Sequence, residues 1–362
     1  MTGGFDRSGR ERIIPSLLWL VERLARGHDV FVYVLRYHDG PCTYPLAGAT
    51  IRDLGSPQGA ASQMRTLLAA LRADGPFDVL HAYWAQPAGR LLPLAGRITR
   101  TPTIVTFDSG EFVSRPDIGY GLQSRWQDRV AVRAALRATR VTVCSGFQAT
   151  LARAHGADPV VIPLGVDTTL FTTREAPPPE PPFRLLHVAS LNPVKGQHTL
   201  LEALRRLRTD GLDVTLDIVG EDTLHGLLGA HARTLGVEPF VRFRGFLDSQ
   251  ALVPLYHAAH LFVLPSLHEA AGVVALEAAA CGVPVTGSAV GYLADWQGER
   301  ALAVPPGDAD ALAEAIRALL LDRPRRDALA ERAGAWARTH DADWTARTFS
   351  ALYAEVAGAR ER

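Results

Sequence analysis

What most constrains this chain is a long alternation of short apolar runs with amphipathic stretches, sustained from residue 14 to residue 322. In the first half, "DVFVYVL" (29–35), "DVLHAY" (78–83), "TPTIVTF" (101–107), "RVTVCS" (140–145) and "PVVIPLG" (159–165) read as strands. Several are continuous apolar runs, as expected of strands covered on both faces. Helical patterns lie between them. In 14–27, Leu17, Leu20, Val21 and Leu24 recur at helical spacing and Gly27 reads as the C-terminal cap. His28 then belongs to a helix stop, a turn and a strand. "APPPEPP" (176–182) reads as a stiff connector. A second series follows, with strands at 183–189, 213–220, 241–246, 261–266, 283–288 and 301–306, and helices such as 310–322 between them. Alternation of this kind predicts parallel sheets with right-handed crossovers, hence two doubly wound α/β domains. Ligands on such sheets bind beyond the C-terminal strand ends, and two facing domains predict a site in the cleft.

Composition narrows the class. The 362 residues suffice for two domains, and 47% hydrophobic content fills two cores. Lys+Arg 38 balances Asp+Glu 38, which argues against a grip on nucleic acid backbone. Cys42, Cys144 and Cys281 are widely spaced and odd in number, which fits a reducing compartment and neither a disulfide framework nor a zinc site. No apolar run reaches transmembrane length, and the opening "MTGGFDRSGRER" is polar. A cytoplasmic protein is expected.

Lys195 is the only lysine; every other residue in the Lys+Arg count is arginine. It lies in "LNPVKGQHTL" (191–200), in a turn marked by Asn192, Pro193 and Gly196, between the first strand of the second series and a helix. That is the C-terminal edge of a parallel sheet. A compact ammonium on a flexible stem suits a phosphate, and a charge-assisted hydrogen bond contributes about 1.5–3 kcal/mol. The plain alternative is a surface lysine in a turn.

"PSLHEAAGVVALEAAACGVPV" (265–285) adds the second half of a site. A loop after strand 261–266 carries Glu269, and Gly272 opens a helix that carries Glu277. The first amides of that helix, at Gly272 and Val273, form an anion site. Two carboxylates beside an anion site fit a ligand with both phosphates and vicinal hydroxyls, such as a nucleotide sugar. Glutamates stabilising a solvated helix start would account for Glu269 but not for Glu277, which follows an apolar run.

On these residues the chain resembles the retaining GT-B glycosyltransferases of family 4. Glu269, Glu277, Ala280, Gly282, Pro284 and Val285 match its paired-glutamate signature, and "DIVGE" (217–221), "VRFRGFL" (241–247), "LYHAAHLFVLPS" (255–266), "NPVKGQHTLLEA" (192–203), "FDVLHAYW" (77–84) and "VTVCSGFQATL" (141–151) also fit. The likeness covers nearly the whole chain and is strongest from 183 to 307. It implies an acceptor-side domain over 1–172, a linker over 173–182, a nucleotide-sugar domain over 183–340, and a helix over 341–362 that packs back on the first domain. Glu277 would bind the ribose hydroxyls. Glu269 would contact the donor sugar near the reacting carbon. Lys195 with the Gly272 and Val273 amides would hold the diphosphate, and Gly3 and Gly4 would let the backbone approach the donor. The reaction would be transfer of a hexose from a nucleotide-diphospho-sugar, UDP-linked, with retained configuration and no required metal, to a glycan, a lipid-linked sugar or a small metabolite. Closure about Val166–Asp167 would exclude water.

Three positions depart from the family pattern. Ser190 stands where an arginine is usual. Asp108, in "TFDSGEF", stands where a histidine is usual; it either contacts a sugar or caps the following turn. The chain also begins almost at its glycine loop, so a natural start upstream, supplying a central strand, is expected. Two further features invite readings. "HAAH" (257–260) reads as structural for want of a third ligand, and the basic helix 129–140 reads as a solvated face or, in the family's manner, as a peripheral contact with anionic membrane. Besides transfer, two activities share this outline: a nucleotide-sugar 2-epimerase and a non-catalytic nucleotide-sugar-binding subunit.

Overall fold

The computed structural model describes residues 4–35, 40–122 and 126–359. The chain divides into two compact units, Met1–Leu164 with Ala342–Arg362, and Gly165–Asp341.

The first unit opens with α1 (Pro15–Leu24), then β1 (Phe31–Val34), β2 (Cys42–Leu46), β3 (Ala49–Asp53), α2 (Ala60–Asp74), β4 (Leu80–Tyr83), α3 (Arg90–Thr99) and β5 (Thr103–Phe107). A two-residue ribbon, β6 (Ser114–Arg115) with β7 (Tyr120–Gly121), precedes α4 (Trp126–Ala135), β8 (Arg140–Val143), α5 (Gly146–Ala154) and β9 (Val160–Val161). Helix α1 starts on Pro15, whose missing N–H costs nothing at that position, and buries Leu17, Leu20, Val21 and Leu24. It stops at Leu24, three residues short of Gly27.

The strands of this unit form two main sheets, β1-β3-β2 and β4-β5-β8-β9. The second is wholly parallel. In the first, β2 runs antiparallel to β3 through a tight turn at Ala47 and Gly48, both at positive φ, as a two-residue hairpin requires. Gly4 and Phe5 form only isolated bridges to Ile13, and β1 and β4 are each paired on one side among the described residues. Leu35, Leu54, Leu80, Val105 and Val143 nonetheless share one hydrophobic cluster.

The second unit carries β10 (Phe183–Val188), α6 (Gln197–Thr209), β11 (Val214–Val219), α7 (Leu227–Thr234), β12 (Val241–Phe243), α8 (Ser249–Ala258) and β13 (Leu261–Leu264). It continues with α9 (Val273–Ala280), β14 (Val285–Ser288), α10 (Gly291–Asp295), β15 (Ala301–Val304), α11 (Ala309–Leu321) and α12 (Arg323–Thr339). Its six strands make one sheet, β12-β11-β10-β13-β14-β15, parallel throughout. Leu200, Leu201, Leu204 and Leu207 of α6 are fully buried against it, each worth about 1.5–3 kcal/mol relative to exposure.

The expected domain limit at 172 moves to 164, and the expected linker 173–182 is not a free connector. Thr173 Oγ1 donates to the Ala280 carbonyl at 3.1 Å, and Arg174 N donates to that of Cys281 at 3.1 Å. His260 Nε2 lies 3.2 Å from the Pro179 carbonyl, and Glu180 pairs with the buried Arg326. Proline stiffness is thus fixed on the second unit's surface.

The last helix, α13 (Ala342–Gly358), belongs to the first unit. Arg23 Nε lies 3.2 Å from Asp343, and Thr345 Oγ1 donates to the Pro163 carbonyl at 2.7 Å. His81 is the inner anchor. Its Nδ1 lies 2.7 Å from Tyr353 Oη, its Nε2 lies 2.7 Å from Thr106 Oγ1, and the ring packs on Phe349. Burial pushes its pKa down to about 3, so the imidazole is neutral.

Candidate functional site

In the second unit, the loops after β10 and β13 meet because those strands are neighbours in the sheet. Leu267 N donates to the Val194 carbonyl at 2.8 Å. Gly196, at φ +67, passes so close that a Cβ there would lie 2.0 Å from the Pro265 carbonyl oxygen. This junction brings Lys195 Nζ to 2.7 Å from Glu269 Oε1, and Ser266 Oγ donates to the same oxygen at 2.7 Å. Gly272, at φ +84, caps α9, so the amides at Gly272 and Val273 head a helix with no preceding turn to bond them. The lysine, the helix start and Glu269 therefore lie at one edge of one sheet.

Below the lysine loop, His187 is fully buried. Its Nδ1 lies 2.9 Å from the Val263 carbonyl, which only accepts, so Nδ1 carries the proton. Nε2 then accepts from Gln197 Nε2 at 3.2 Å. Gln197 Nε2 also donates to the Ser190 carbonyl at 3.1 Å, tying the loop to the start of α6. Burial pushes the pKa of His187 down to about 4, with Lys195 adding to the effect.

Glu277 lies on the apolar α9 and is 5% exposed. Its Oε2 accepts from Tyr256 Oη at 2.8 Å. Burial pushes its pKa up to about 7, against the pull of the Tyr256 hydrogen bond.

In the first unit, a cavity of about 490 Å³ opens beside the ends of β4 and β5, lined among others by Trp84, Gln86, Glu111, Tyr120 and Asp128. Glu111 Oε2 accepts from Ser109 N at 2.8 Å and Oε1 from Ala85 N at 3.3 Å. Burial, with Asp108 nearby, pushes its pKa up to about 7. Asp108, expected either to contact a sugar or to cap the following turn, is half-buried and hydrogen-bonded by the Cys144 thiol; the cavity is lined at this point by Ser109, Gly110 and Glu111. Gly4 stands at φ +90 with Ile14 filling the space a side chain would take, 2.9 Å from an added Cβ. Gly3 lies outside the described residues.

Two family descriptions match the chain: "Glycosyl transferases group 1" over residues 171–336 and "Glycosyl transferase 4-like domain" over residues 13–165. The D-inositol 3-phosphate glycosyltransferase of Geodermatophilus obscurus is 30% identical over 373 residues, covering 92% of this chain and 82% of that protein. The chain belongs to the group 1 glycosyl transferases. Glycogen synthase of Mycobacterium tuberculosis is 37% identical over 208 residues, 57% of this chain and 50% of that protein, so the match spans half the length of that relative. Among solved structures, Anabaena HepE in complex with UDP-glucose aligns over 98% of each chain with a TM-score of 0.76 at 21% identity. The fold is thus the α/β GT-B class, with two Rossmann-like units.

Lys195, Glu269, Gly272 and Val273 stand together; Glu277 lies one to two turns further along α9, under Tyr256. Ser266, Tyr256 and Glu111 were not singled out from the sequence. Ser266 sits inside the quoted 265–285 run, and Tyr256 inside "LYHAAH", but nothing local says which carboxylate each would meet. Among the described residues no group of three or more His, Cys, Asp or Glu is placed to hold a metal, and no helix is long and apolar enough to cross a membrane.

Proposed function

We propose that the protein transfers a hexose from a UDP-linked sugar to an acceptor hydroxyl, with retention of anomeric configuration and without a metal ion. The observation that carries this reading is the Lys195–Glu269 pair, 2.7 Å apart, at the glycine-capped start of α9. Anabaena HepE, similar in fold, was crystallised with a donor of this class.

In this reading the diphosphate draws Lys195 from Glu269 and lies over the Gly272 and Val273 amides. Glu269, released, accepts from the donor sugar's hydroxyls while Ser266 keeps its carboxylate oriented. Glu277 accepts from the ribose diol, its other oxygen held by Tyr256. As the anomeric carbon–oxygen bond to the diphosphate breaks, the electron pair leaves on the nucleoside diphosphate. The acceptor oxygen bonds to the same face of that carbon, and the acceptor's proton passes to the departing diphosphate oxygen. Lys195 and the helix amides stabilise the growing charge on the diphosphate from fixed positions. The acceptor is a glycan, a lipid-linked sugar or a small metabolite, and a peripheral membrane contact belongs with the second of these.

The test is donor turnover. The protein is incubated with UDP-, GDP- and ADP-sugars, nucleoside diphosphate release is followed, and the product anomer is read by NMR beside Glu269→Ala. Release from a UDP-hexose that falls in the variant, with the donor's anomeric configuration in the product, is the expected result. Donor binding without release would instead make the protein a binding subunit, and a sugar inverted at C2 would make it an epimerase.

A further inference from the structure

The first-unit cavity has a chemistry of its own. At about 490 Å³ it falls within the range of small-molecule sites, roughly 300–1,000 Å³. Its walls carry two aromatic rings, Trp84 and Tyr120, and two carboxyl groups, Glu111 and Asp128. No arginine or lysine stands among its described lining residues, in a chain whose Lys+Arg count is 38. Asp128 Oδ1 accepts from Gln86 Nε2 at 2.8 Å, and each Glu111 oxygen accepts one backbone amide. A carboxylate oxygen has two lone pairs, so both groups retain acceptor capacity toward the cavity.

Such walls suit one kind of ligand. Aromatic faces take the C–H face of a sugar ring, and carboxylates take its hydroxyl protons. A phosphate group there would face the Asp128 carboxylate, and that of Glu111 once ionised above about pH 7, at short range, with no arginine or lysine among the described lining residues to offset it. The Trp84 backbone, at φ +66, is held by Trp84 N donating to the Thr106 carbonyl at 2.8 Å and by Gly89 N donating to the Trp84 carbonyl at 3.1 Å.

We propose that this cavity is the acceptor subsite for an uncharged saccharide, with Trp84 and Tyr120 as its platform, and that Glu111 and Asp128 reject phosphate-bearing acceptors. This rests on the glycosyltransferase reading above. It sets the chain apart from the relative whose name specifies an inositol phosphate.

The full-length protein is titrated by calorimetry and saturation-transfer NMR with methyl glucoside, methyl mannoside and maltotriose, and separately with glucose 6-phosphate and inositol phosphate. UDP is titrated in the same samples. The neutral probes are expected to bind, and the phosphorylated ones to bind at least about tenfold more weakly, a gap of about 1.4 kcal/mol. Glu111→Gln with Asp128→Asn is expected to close that gap. Trp84→Ala is expected to abolish neutral-probe binding, and Trp84→Phe, which keeps a ring should the alanine variant misfold, to retain most of it. Phosphorylated probes binding as tightly as neutral ones, or neutral probes failing to bind, would overturn the proposal. UDP binding tests the donor reading independently, so either can fail without the other.

Discussion

Lys195 Nζ lies 2.7 Å from Glu269 Oε1, across 74 residues of sequence. The chain's one lysine is thus held by the carboxylate that the donor sugar would use, and phosphate must compete with that carboxylate for the ammonium. Replacing Lys195 with alanine is expected to weaken UDP-sugar binding about tenfold to a hundredfold, the loss of one charge-assisted hydrogen bond. Calorimetric titration measures this, and unchanged affinity would remove Lys195 from the donor site.

Glu269→Gln separates binding from chemistry. Without the competing charge, UDP is expected to bind equally or several-fold more tightly, while transfer falls by about a hundredfold or more. A parallel fall in both quantities would mean that Glu269 only builds the loop.

Glu277 gives a pH signature. Its carboxyl is raised to about 7 in the fold from an ordinary 4.5, so between these values the folded chain keeps a proton that the unfolded chain has lost. The Glu277 contribution is therefore most favourable at low pH, worsens as pH rises through this window, and reaches its full penalty above about 7, on the order of 3 kcal/mol. Urea unfolding at about pH 5 and about pH 8 should show Glu277→Gln gaining on the wild type at the higher pH by a sizeable part of that amount. Parallel curves would mean that the carboxyl is ionised in the fold.

His81 acts in the opposite sense. Its pKa of about 3 in the fold lies below the ordinary 6.5, so the unfolded chain protonates first. Its contribution is present above about pH 6.5 and declines on acidification, by about 2 kcal/mol at pH 5. The wild type should lose stability relative to His81→Asn over that range, measured by urea unfolding at each pH.

Gly196→Ala places a methyl group 2.0 Å from the Pro265 carbonyl oxygen at φ +67. Gly236→Ala is the control, at φ +71 with nothing within 4 Å. The control is expected to cost about 1–2 kcal/mol from backbone conformation alone. Gly196→Ala should cost more in melting temperature and also weaken UDP binding, because the lysine loop must move. Equal effects would mean that the close approach is unimportant.

The sequence by itself determined the parallel layers and the place of the loops that carry Lys195 and Glu269. Strands covered on both faces must be apolar, so β5, β10 and β13 announce themselves, and the loop after a parallel strand lies at the C-terminal edge of its sheet. Lys195, Glu269 and Gly272 could be named on that ground. The hairpin β2–β3 escaped because Pro45 interrupts its alternation and its turn is Ala47–Gly48, without the Asn-Gly or Asp-Gly signal. Only the tertiary structure decided which distant groups meet: Lys195 with Glu269, Tyr256 with Glu277, His81 with Tyr353, and Glu111 with the Ala85 amide at the cavity wall. Local periodicity specifies that a strand exists and which way it faces. Whether β10 lies beside β13 is settled by the packing of the whole sheet, and that neighbourhood is what brings the two halves of the site together.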